Sequence, residues 1–164
     1  MGVKIKKTIS LIVPFLLFIF VIAFIQAKFQ KNDLIIANHL ASKNKKTVVD
    51  FFTTSFVKKD IKAGFEQYVG NKYIQHNPHV ADGREQPIQY LSQWQKENPQ
   101  SSCEIKRVIA ENNLVVIHSH WKNSPQDRGQ AGIDIFRVEN DKIVEHWDVL
   151  QDVPEKSVNT NTVF

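Results

Sequence analysis

With 164 residues the chain has room for one ordinary domain and a short extra segment. Its formal charge of +4 is uneven: residues 1–31 hold five lysines and no acid, leaving 16 basic against 17 acidic side chains in the remainder. That distribution argues against a phosphate-tracking surface, so no nucleic-acid partner is expected, and the lone Cys103 excludes an internal disulfide framework.

The chain opens with a basic stretch, Lys4, Lys6 and Lys7, followed by the apolar run "ISLIVPFLLFIFVIAFI" at 9–25, whose polar member is Ser10. That layout predicts a signal peptide or an N-terminal membrane anchor over residues 1–27. With the lysines leading, the remainder is expected outside the cytoplasm, tethered or released after cleavage. Residues 28–43 read as a linker with helical character. From residue 44 onward Val48, Phe51, Phe52, Phe56 and Val57 recur at three- and four-residue spacing and predict a helix with one apolar stripe. Asp60 caps a second short helix, "IKAGFEQYV", closed by Gly70-Asn71. A third helix is read over 83–99, with Ile88, Leu91 and Trp94 inward and Asp82 near its N-cap.

The remaining runs, "CEIKRVIAE", "LVVIHSHWKN", "AGIDIFRVE" and "KIVEHWDVLQ", are rich in β-branched and aromatic residues and are separated by turns. Helices first and a meander second predict an α+β fold, with helices on one face of a curved antiparallel sheet. Residues 155–164 form a tail.

Strand alternation groups His118 with His120 and Val116, and Asp134 with Phe136 and Gly132. A carboxylate among isoleucines on a strand is costly to desolvate unless it is paired or used, which makes Asp134 the candidate proton carrier. The His-x-His pair lacks a third ligand at suitable spacing, so no metal is expected. Within "YIQHNPHVADGRE" at 73–85, the histidines, Asn77 and the turn residues fit the rim of a site as well as a turn.

Together "YIQHNPHVADGRE" and "GIDIFRVENDKIVEHWDVLQ" resemble the SnoaL-like polyketide cyclase branch of the nuclear-transport-factor-2-like (NTF2-like) superfamily, over residues 44–154. The resemblance implies a cone of helices and bent sheet around a pocket, with Tyr73, His76 and Asn77 at its entry. It implies general acid/base chemistry by Asp134 assisted by His120, in an aldol-type closure without metal or cofactor. Val116, His118, Phe136 and Trp147 would complete the pocket wall. Expected partners are a small apolar carbonyl compound and a second copy of the chain, docked through an outer face bearing Trp121 and Ile135. The expected activity is aldol-type cyclase, isomerase or dehydratase; the alternative is a non-catalytic pocket holding a hydrophobic ligand or a protein partner.

Overall fold

The computed structural model describes the backbone of residues 3–164 and the side chains of residues 20–164. The chain divides into two units, Met1–Asn38 and His39–Phe164. The first is helical from Val3, and its described apolar side chains, among them Phe20, Phe24, Phe29 and Ile36, are exposed. Among the described residues no helix is long and apolar enough to cross a membrane. The apolar run at 9–25, on which an anchor or signal peptide was expected, lies largely outside the residues whose side chains are described.

In order along the chain the elements are α1 (Val3–Phe52), a π-helical turn (Thr53–Val57), α2 (Ile61–Tyr68), β1 (Val69–Gln75), α3 (Glu85–Glu97), β2 (Ser102–Glu111), β3 (Leu114–Lys122), β4 (Gln130–Glu139) and β5 (Lys142–Asp152). Helix α1 runs without a break through residues 28–43, read from the sequence as a linker. In the second unit helices pack on a five-stranded sheet of order β1-β5-β4-β3-β2. Strands β2 to β5 form the expected antiparallel meander, while β1 adds a fifth strand parallel to β5. The sequence reading has no strand at 69–75, because only Val69 and Tyr73 of it are buried and no alternating pattern marks it.

The core is aromatic on its helical side. Phe51 packs edge-on against Phe56, Phe65 and Phe136, and Phe52 against Phe56 and Trp121. Such edge-to-face contacts add about 0.5–1.5 kcal/mol each to the burial term. The stripe from Val48 to Phe56 is buried or packed on the core, but Val57 is 52% exposed. The π-helical turn is the reason: its wider spiral takes residues past Phe56 out of the helical phase that the 3.6-residue spacing assumes. Asp60 caps α2 as expected, its carboxylate accepting from the Ala63 N–H at 3.0 Å. Asp82 instead turns back and accepts from the Gln75 N–H at 2.8 Å, leaving Arg84 at the start of α3 without a side-chain cap.

Gly64 allows α2 to sit directly against the π-helical turn. A Cβ at this position would lie 2.0 Å from Ser55 Oγ and 3.1 Å from Ser55 Cβ, in a site where Ser55 is fully buried. Gly64→Ala is expected to lower unfolding stability by about 1–3 kcal/mol in urea titrations. Part of the loss should return in the Ser55→Ala background, which removes the hydroxyl it meets.

Candidate active site

The helices and the concave face of the sheet enclose a cavity of about 360 Å³. Aromatic side chains supply much of its apolar lining, among them Phe51, Phe56, Phe65, Trp94, Trp121 and Phe136. Strand registers decide which polar groups join them. Ile117 on β3 pairs with Asp134 on β4, and Ser119 with Gly132, so the odd residues of β3 and the even residues of β4 face the cavity. Gly132 leaves room there for the indole of Trp121, since a Cβ at that position would lie 2.8 Å from its Nε1.

On β5 the register contains one extra residue. Val138 pairs with Ile143, but Arg137 pairs with Glu145, which leaves Val144 as a bulge. From there Phe136 faces His146 and Asp134 faces Asp148. Without the bulge Asp134 would stand opposite Trp147.

Asp134 and His146 are 7% and 8% exposed, and Asp134 Oδ1 lies 3.1 Å from His146 Nε2. The Ser119 hydroxyl donates to Asp134 Oδ2 over a long 3.5 Å. His146 stacks on Phe136, with ring centroids 4.8 Å apart and planes inclined by 29°. Its Nδ1 is 3.0 Å from Gln75 Oε1, and the Gln75 Nε2 donates to the Tyr73 hydroxyl at 3.3 Å. Asn77 Nδ2 donates to both carboxylate oxygens of Asp148 at 2.9 Å. Burial, reinforced by the negative charges of Asp134 and Asp148, pushes the Tyr73 phenol far above its usual value, so it remains a neutral O–H donor.

Of the residues expected at the site, Asp134, Tyr73, Asn77 and Phe136 line the cavity. His120, Val116 and His118 do not; they are even residues of β3 and lie on its other face. The His120 Nε2 is 2.8 Å from the Arg128 carbonyl oxygen, and its ring packs on Phe164, as does that of His118. Burial against Phe164 and its neighbours, with Arg107 and Lys106 nearby, holds the His118 imidazole below its ordinary value. His76 and Trp147 also sit away from the cavity, stacked on each other with centroids 4.6 Å apart. There His76 meets Glu145 at 2.8 Å, and Arg137 holds the other Glu145 oxygen. Trp121, expected on the outer face, lines the cavity.

The histidine beside Asp134 is therefore His146 of β5, not His120 of β3. Alternation alone would have joined His146 with Asp148 from "EHWD", but the Val144 bulge that turns them toward Asp134 has no sequence signal. Asp134, His146 and Asp148 each offer one ligand atom within 4.8 Å of the others, and among the described residues they are the group able to hold a metal ion. An ion there would displace the Asp134–His146 hydrogen bond.

A family model for SnoaL-like polyketide cyclases matches residues 46–155. The chain belongs to the SnoaL-like polyketide cyclase family. No curated protein matches its sequence. Among solved structures, a proposed SnoaL-like polyketide cyclase from Jannaschia sp. is 17% identical with a TM-score of 0.58, covering 68% of this chain and 87% of its own. An NTF2-like protein of unknown function from Mesorhizobium loti is 15% identical with a TM-score of 0.57, covering 68% and 93%. A proposed ketosteroid isomerase from Kribbella flavida is 11% identical with a TM-score of 0.58, covering 73% and 85%. At these identities the likeness is one of fold, and it confirms the expected NTF2-like α+β architecture.

The site geometry predicts an incomplete tyrosine titration. As the pH rises past about 10, the usual tyrosine value, part of the phenolate absorbance should be withheld until the protein unfolds. The withheld part should vanish in Tyr73→Phe. Because the folded-state value is the raised one, stability is retained below the unfolded value and falls as the pH climbs beyond it.

Proposed function

We propose that this SnoaL-like domain is an acid/base enzyme that moves a proton at the carbon next to a carbonyl group, in an aldol-type closure, isomerisation or dehydration. The carrying observation is Asp134: a carboxylate almost wholly removed from water, bonded to His146, in a cavity with aromatic side chains across from it. Burying such a group unpaired costs several kcal/mol, so its retention beside an imidazole fits use in proton transfer. Oδ1 is engaged by His146, which leaves Oδ2 to take the proton from carbon. The neutral Tyr73 hydroxyl supplies a donor for the oxygen on which negative charge gathers. The aromatic walls and a volume of about 360 Å³ suit a small apolar carbonyl compound.

The test is exchange of the α-hydrogens of ethyl acetoacetate into heavy water, followed by NMR. The protein is expected to accelerate exchange, and Asp134→Asn to reduce the acceleration by roughly a hundredfold to ten-thousandfold with the fold intact. Equal rates in the two proteins would refute Asp134 as the base.

The basic start and the apolar run at 9–25 support a further part of this reading, in which the domain is exported or tethered at a membrane. On cell fractionation the full chain should sediment with membranes or appear outside the cytoplasm. A chain lacking residues 1–27 should be cytoplasmic, and identical partitioning of the two would exclude the targeting role.

A further inference from the structure

Gln75 ends β1 and lies beside His146 in the parallel pairing with β5. Three hydrogen bonds engage its carboxamide. Oε1 accepts from the backbone N–H of Asn77 at 3.0 Å and faces His146 Nδ1 at 3.0 Å, while Nε2 donates to the Tyr73 hydroxyl at 3.3 Å.

The Asn77 N–H can only donate, so the atom it meets must be the amide oxygen. Rotating the carboxamide by half a turn would set N–H against N–H. With oxygen in that place, His146 Nδ1 must carry a hydrogen, because an amide oxygen cannot donate. Nε2 then faces Asp134 Oδ1 at 3.1 Å. In a neutral ring protonated at Nδ1 this nitrogen is a lone pair, and a lone pair opposite a carboxylate is repulsive. The contact is attractive only with one proton between the two atoms, on either side. The same carboxamide uses the acceptor capacity of Tyr73 and so leaves its single O–H hydrogen for the cavity.

We propose that Gln75 is the positioning residue of the site: it holds His146 protonated at Nδ1, so that His146 and Asp134 share one proton across Nε2 and Oδ1, and it turns the Tyr73 hydroxyl toward the ligand. The catalytic consequence rests on the proton-transfer reading given above; the protonation of the ring does not. In an unconstrained imidazole beside a carboxylate the favoured neutral form carries its hydrogen at Nε2 and donates it directly. Gln75 excludes that form by presenting an oxygen to the other nitrogen. As Oδ2 takes the proton from carbon, the shared proton settles on His146 Nε2, and it moves back toward Oδ1 when Oδ2 returns the proton; an Nε2–H ring has no lone pair at that nitrogen to receive it.

Long-range proton–nitrogen correlation spectra of the full chain, with His146 assigned by comparison with His146→Gln, report which ring nitrogen carries hydrogen. Nδ1 is expected to carry the hydrogen. A neutral His146 with a bare Nδ1 would overturn the proposal from the wild-type protein alone, whatever any variant does. In Gln75→Leu the neutral ring should switch to the Nε2–H form, while Gln75→Glu, which keeps the acceptor, should retain Nδ1–H.

With ethyl acetoacetate as the probe, kcat for exchange should fall about tenfold or more in Gln75→Leu with little change in KM, as for loss of an orienting partner. A Gln75→Leu protein that keeps Nδ1 protonated, or that switches form without losing kcat, would also overturn it. If the spectra come out as expected but Asp134→Asn exchanges at the wild-type rate, the placement of the proton stands and the proton-transfer function falls.

Discussion

Removing the Asp134 carboxyl from water is the constraint around which the rest of the cavity is arranged. An isolated ionised carboxylate in apolar surroundings is too costly to keep, so its neighbours must answer its oxygens. Here His146 answers Oδ1 and Ser119 approaches Oδ2. Each of those groups needs support in turn. His146 rests on Phe136 and meets Gln75, and Gln75 is anchored by a backbone N–H. Asp148, directly across the ladder from Asp134, would be a like charge at close range, and the Asn77 amide engages both of its oxygens. The polar network is continuous from the turn after β1 to the middle of β4.

Two features of the sheet bring that network together. The bulge at Val144 changes the face that "EHWD" presents: His146 and Asp148 turn inward, while Glu145 and Trp147 go to the other side with His76 and Arg137. The parallel pairing of β1 then carries Tyr73 and Gln75 to the edge of β5, where Gln75 reaches His146. The bulge lies in a hairpin that closes across a two-residue turn, whereas the β1 pairing joins distant segments, and the sheet packs on the aromatic core. Phe51, Phe52 and Phe65 from the helices supply it, and Gly64 permits α2 to approach the π-helical turn closely enough for it to form.

Much of this was legible in the chain. The helical spacing around Phe51, the Asp60 cap, the inward Leu91 and Trp94, and the four β-rich runs with their short turns specify helices before a meander, and the structure has them. Asp134 stood out because a carboxylate between isoleucines conflicts with its surroundings unless something else in the fold meets it. Its partner was misplaced. His120 shares a strand with Ser119 and Trp121 but has the opposite parity, and parity on an unbroken strand cannot be overcome by a rotamer. The polar segment at 69–75 was unreadable as a strand because an edge strand pairing on one side needs few buried side chains.

The sequence by itself determined most of the elements, the family and the one carboxylate worth following, because periodicity, capping and the desolvation of charge all act over a few residues. Which histidine meets that carboxylate, which way Trp147 and Trp121 point, and that Gln75 belongs to the site were decided by tertiary structure alone. The reason is register: one bulged residue reverses every side chain beyond it, and a parallel edge strand joins residues 71 positions apart that no local pattern connects.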